Sequence, residues 1–65
     1  MKTTIKQQKD ILRMIKSEVK AGNGIKTISA LLRGYGNPDN VFVDGNKVSI
    51  RVSHISTHLT VKDGY

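Results

Sequence analysis

Six cations recur at intervals of three and four along the start of the chain: Lys2, Lys6, Lys9, Arg13, Lys16 and Lys20. On a helix turning about 100° per residue they share a sector of roughly 80°. Such groups do no covalent chemistry in a row; they hold anions. Even spacing along a rod suits a phosphate backbone, where counterion release supplies much of the affinity. Like charges at these spacings cost a helix roughly 0.2–0.5 kcal/mol per pair. Asp10 relieves the middle of the row, and Lys16 and Lys20 gain from the helix C-terminal dipole. A helix shaped only for solubility would mix signs more evenly, so the row reads as an anion-binding face.

The remaining candidates for chemistry are sparse. His54 and His58 are four apart, a spacing that presents two metal ligands on a helix. Here the local pattern is strand or loop, and Asp63 is the only nearby carboxylate, so no metal or other cofactor is expected. A general acid–base pair with Lys47 or Lys62 beside it is chemically conceivable, but no nucleophile, base and orienter form a set. Gly34-Tyr35-Gly36 lacks the flanking strand, helix and Lys-Ser/Thr ending of a phosphate loop. The chain therefore reads as non-enzymatic. Arg13, Arg33 and Arg51 are able to make bidentate guanine contacts. Only Phe42 and Tyr35 are placed to stack on bases, which argues for duplex DNA or structured RNA over single strands.

The elements that must position these groups are legible in part. Ile5, Gln8, Leu12, Ile15 and Val19 recur at helical spacing within Thr4–Ala21 and mark a buried stripe directly beside the cations. Thr3 or Thr4 is placed to cap this helix, and Gly22-Asn23-Gly24 to stop it. Ile25, Ile28, Leu31 and Leu32 predict a second helix over Ile25–Arg33, with Asn23 or Thr27 as cap and Gly34 as stop. The stretch Ala21–Leu32 resembles the opening half of a helix-turn-helix, whose second helix would enter the major groove. Gly34, Gly36 and Pro38 then depart from that pattern, and Val41-Phe42-Val43 favours a strand. Asn37-Pro38-Asp39-Asn40 reads as a turn. Val41–Val43 and Lys47–Ser53 flank Asp44-Gly45-Asn46 as a hairpin, with Val48, Ile50 and Val52 on one face. Alternation at His58–Lys62 predicts a third strand, which would leave Lys47, Arg51, His58 and Lys62 on the opposite sheet face. Asp63-Gly64-Tyr65 is expected to fray.

The fold class predicted is α+β, two N-terminal helices packed on a small antiparallel sheet of two to three strands, with a winged-helix-like variant as the alternative. Sixty-five residues predict one small domain, residues 1–65, near the lower limit for a self-sufficient core. Without cysteine no disulfide adds to that core, and a homodimer would bury more apolar surface. No apolar run approaches the ~20 residues that cross a bilayer, and no signal-peptide core follows the basic start, so a cytoplasmic protein is expected. The apolar helix face has no Trp or Phe and is needed for the core, which argues against lying in a lipid interface.

Net charge is +6, and all the excess lies in residues 1–33, where eight Lys and Arg face two acidic residues. Residues 34–65 balance, with three of each sign. This polarity points to a nucleic-acid partner. The residues assigned to it are Lys6, Lys9, Arg13, Lys16, Lys20, Lys26, Arg33, Lys47 and Arg51. The competing expectation is a small inhibitor or antitoxin-like protein docking on an acidic protein surface. Small size, absence of cysteine and polarised charge suit a gene of a virus or mobile element.

Overall fold

The computed structural model describes residues 2–65; Met1, part of the span expected as one domain, lies outside the described residues. Helix α1 covers Ile5–Lys20 and α2 covers Ile25–Gly34, followed by strands β1 (Val41–Asp44), β2 (Lys47–Val52) and β3 (Ile55–Thr60). The strands form one antiparallel sheet in the order β1-β2-β3. This is the α+β arrangement that the sequence predicts.

One cluster of apolar side chains holds the two layers together. Ile11 and Ile15 from α1, Ile28 and Leu32 from α2, Val48 and Ile50 from β2, and Val61 are all buried. Each such aliphatic side chain contributes about 1.5–3 kcal/mol by leaving water. Because Val48 and Ile50 sit in this cluster, the β1–β2 hairpin is part of the sheet floor and not a free wing.

α1 starts with a reciprocal cap. The Thr4 hydroxyl accepts from the Gln7 amide at 3.2 Å, and the Gln7 side-chain oxygen accepts from the Thr4 amide at 2.8 Å. Both helices close alike. Asn23 N–H donates to Glu18 C=O and Gly22 N–H to Val19 C=O, with Gly22 at φ +85°. Asn37 N–H donates to Leu32 C=O and Gly36 N–H to Arg33 C=O, with Gly36 at φ +81°. These are two Schellman motifs. The stop of α2 is therefore Gly36; Gly34, the expected stop, is its last helical residue.

The start of α2 corrects two expectations together. Neither Asn23 nor Thr27 caps it: Gly24 is the N-cap, and among the described residues no side chain makes a capping hydrogen bond there. Instead Ile25 N–H donates to Lys62 C=O at 3.0 Å and Lys26 N–H to Gly64 C=O at 2.9 Å. The last residues thus satisfy the free amides of the helix start, so this tail is docked where fraying was expected. Lys26 Nζ also lies 4.8 Å from the centre of the Tyr65 ring.

The same docking shortens the third strand at its far end. β3 runs Ile55–Thr60 where His58–Lys62 was expected, because Lys47 pairs with Thr60 and the chain beyond it turns to α2. Its start moves back to Ile55, paired with Val52 across a two-residue turn, and β2 correspondingly ends one residue before Ser53. Lys62 consequently lies outside the sheet.

At the opposite end the chain start is tied down. Thr3 donates to Asp39 Oδ1 from its hydroxyl at 2.7 Å and from its amide at 3.0 Å. These donors, the hydroxyl first, hold the Asp39 carboxyl below the usual carboxylate range against a smaller opposing effect of desolvation. Gln8 links the same region to the β2–β3 turn, accepting from Ser53 N–H at 3.0 Å.

Candidate nucleic-acid interface

α1 is rotated relative to its expected setting. Ile11 and Ile15 are its buried residues, Gln8, Leu12 and Val19 are half-buried, and Ile5 is 53% exposed. Ile11 and Ile15 differ by one helical turn plus about 40°, and the direction midway between them lies roughly 160° from the middle of the cation row. The cations therefore point almost straight away from the sheet, not beside the buried stripe as the spacing first implies. Lys2, Lys6, Lys9, Arg13, Lys16 and Lys20 are all exposed. From Lys6 to Lys20 the row extends about 21 Å at 1.5 Å per residue.

Charge on this face is nearly uncompensated. Among the described residues, the one ion pair within 4 Å is Arg13 to Asp10, at 3.9 Å between two exposed side chains. Contacts of that kind contribute little and leave the guanidinium free to turn outward. Between the cations, Lys9, Leu12, Arg13 and Lys16 enclose an open depression of about 330 Å³. Leu12 supplies the apolar side of that depression.

The other four assigned residues do not join this row. Lys26 and Arg33 are exposed on α2, in the same layer as α1. Lys26 faces Tyr65, while Arg33 borders a hollow of about 310 Å³ with Ser29, Leu32, Val41 and Val43 among its walls. Lys47 and Arg51 belong to the other side of the molecule. They alternate with the buried Val48 and Ile50, so they sit on the sheet face that neither helix covers. The molecule measures 29 × 21 × 20 Å, so a straight duplex lying along α1 does not reach them. The assigned set thus separates into the α1 row, two α2 cations and a sheet pair.

The histidines also separate. His54 lies in the β2–β3 turn and borders a hollow with Gln8, Asp39, Asn40, Arg51 and Ser53. His58 is in β3, with Nδ1 2.8 Å from the Ser49 hydroxyl. Among the described residues, no group of three or more His, Cys, Asp or Glu side chains is placed to hold a metal ion.

Sequence reading missed the surroundings of Phe42. The register sets Phe42 opposite Ser49 and Ser49 opposite His58, on the same outer face as Lys47 and Arg51. Aromatic and basic residues are not interleaved along the chain, but they are interleaved across strands. The signal available beforehand was the alternation of Val41, Phe42 and Val43, which sends the ring to the face opposite its neighbours.

Among the described residues, no helix is long and apolar enough to cross a membrane. Compared with protein-family models, curated proteins and solved structures, the chain matches none.

Proposed function

We propose that this protein binds the phosphate backbone of duplex DNA or structured RNA through the outward face of α1, and acts in the cytoplasm as a non-enzymatic regulator or interfering factor. The observation that carries this reading is the exposed row Lys6, Lys9, Arg13, Lys16 and Lys20, directed away from the core with a single long ion pair along it. Lys26 and Arg33 add charge to the same layer, and a homodimer would double it. Much of the free energy of such a contact comes from released counterions, so it is sensitive to salt and tolerant of sequence.

The expected result is measurable binding to generic duplex at low salt, weakening steeply as salt rises. Replacing Lys9, Arg13 and Lys16 together by Gln should reduce the log–log salt slope by roughly 2–3, about 0.9 per lost phosphate contact. Fluorescence anisotropy across a salt series reads both. The Leu12-walled depression among Lys9, Arg13 and Lys16 favours a second reading, an acidic protein surface offering an apolar side chain between carboxylates. Failure of the wild type to retain DNA or RNA at low salt, with capture of a partner from nuclease-treated lysate that the triple Gln variant loses, would establish that reading in place of the first.

A further inference from the structure

Both helices pack on one side of the sheet, and among the described residues nothing covers its other side, whose positions are exposed or half-buried. The residues on that open side come from three strands and are brought together only by the register. Phe42, Ser49 and His58 form one row across β1, β2 and β3. Asp44, Lys47 and Thr60 form the row on one side of it, and Arg51 with Ser56 the row on the other. Phe42 is 62% exposed. Ser49, the small residue at the centre, is bonded to the His58 ring at 2.8 Å and lies opposite Phe42 across the strands.

The charge on this side is set for an anion. Lys47 and Arg51 flank the central row; Asp44 is the cross-strand neighbour of Lys47, and Asp39 borders a hollow with Arg51 beyond the edge of the row. No ion pair within 4 Å engages either cation among the described residues. An exposed aromatic ring on the strand beside two cations that make no ion pair within 4 Å among the described residues matches the alternation of base and phosphate in an unpaired strand. Phe42 and His58 lie two strand spacings apart, about 10 Å, which leaves room for neighbouring bases on separate rings.

We propose that the outer sheet face is a second nucleic-acid site, specific for unpaired bases. One base stacks on Phe42, a neighbouring base lies against the His58 imidazole, and Arg51 and Lys47 hold phosphates of the strand that carries them. The site extends the reading of α1 without resting on it, because the two faces lie on opposite sides of the molecule. A protein built in this way holds paired and unpaired segments of one nucleic acid at once.

The test uses the whole chain, a fluorescein-labelled oligothymidylate of about 12 nucleotides, and a labelled duplex. Phe42→Ala should weaken oligothymidylate binding roughly 5- to 150-fold, the range for loss of one base–aromatic stack, and leave duplex binding unchanged. Phe42→Trp should keep the affinity and report stacking by quenching of its fluorescence. The Lys9, Arg13 and Lys16 triple Gln variant should show the opposite pattern, weakening duplex binding and keeping oligothymidylate. Circular dichroism confirms that each variant is folded, and Phe42→Tyr keeps a ring in place should the alanine variant unfold. Wild type that fails to bind oligothymidylate at low salt overturns the proposal, as does Phe42→Ala or Phe42→Trp binding it without loss or quenching. A fall in sedimentation mass in Phe42→Ala, with unchanged nucleic-acid binding, would make Phe42 a contact between two copies and also overturn it. Loss of duplex binding by the triple variant alone, or its absence, judges α1 separately.

Discussion

The two helices end alike and begin differently. Each closes in a Schellman motif with a left-handed glycine, Gly22 after α1 and Gly36 after α2. α1 also carries its own start, because Thr4 and Gln7 satisfy each other's amides within three residues. α2 borrows its start from the other end of the chain, through the carbonyls of Lys62 and Gly64. The difference shows which helix is locally self-sufficient and which is a product of the finished fold. The cation row lies on the self-sufficient one, so the α1 face is presented by a helix whose ends do not depend on the C-terminal tail.

The largest effect expected from breaking this contrast is at Gly24. A Cβ there would sit 2.4 Å from the Gly64 carbonyl oxygen and 3.0 Å from that of Lys62. Gly24 has φ −100°, which any residue adopts, so the requirement is for space alone. Gly24→Ala must push the tail away and leave two helix-start amides without their partners. Each lost partner costs about 1–3 kcal/mol, so a loss of about 2–6 kcal/mol is expected in urea unfolding. For a chain of this size that is a large share of a total of roughly 3–10 kcal/mol. In a chain truncated before Asp63 the same substitution should cost much less, since the obstructing Gly64 is gone. Equal losses in the full and truncated chains would mean that the tail does not fill this role.

A smaller effect is expected at the start of α1. Thr4→Ala removes one acceptor and should cost about 1 kcal/mol, while Thr4→Ser should be near neutral. Amide exchange should quicken in the first turn of α1 and nowhere in α2. Duplex affinity should hold, because the row from Lys9 to Lys20 lies beyond the frayed turn. Spread of the exchange effect into α2 or the tail would contradict the independence of the two helix starts.

This contrast also explains what was legible in the sequence. The two helices, the Asp44-Gly45 hairpin and the α+β order rest on local periods and turns, and Gly45 takes φ +61° as that turn requires. A threonine cap, Thr3 or Thr4, is legible for the same reason, and the contact with Gln7 three residues on settles it as Thr4. The Gly24–Gly64 contact joins residues forty apart and carries no local mark. The setting of α1 failed more subtly. Ile11 and Leu12 both fit a three-and-four pattern with Ile15, and only packing on β2 decides that Ile11 goes in and Leu12 stays at the edge. Of the candidate site, the α1 row was readable because it lies on one element. The split of Lys47 and Arg51 from it, and their meeting with Phe42 and His58, depend on which sheet face the helices cover and on strand register.

The smallest effect concerns the tether that leads into α1, and its sign follows from Asp39. The Thr3 hydroxyl and amide both donate to Oδ1, which favours the ionised carboxyl and lowers its folded-state pKa. A lowered value means that the unfolded chain takes up the proton first as pH falls. The contribution to stability is therefore complete above the ordinary carboxylate range and is lost as pH falls through the folded value beneath it. An NMR titration of the Asp39 side-chain carboxyl should give a midpoint below that of an unstructured aspartate, with the Thr3 amide resonance moving at the same pH. Asp39→Asn should abolish that Thr3 transition and leave the capping contact between Thr4 and Gln7 in place, because the tether and the cap use different acceptors. A midpoint at or above the ordinary value would show that Thr3 does not reach Asp39 in solution, and the start of α1 would then rest on its own capping box alone.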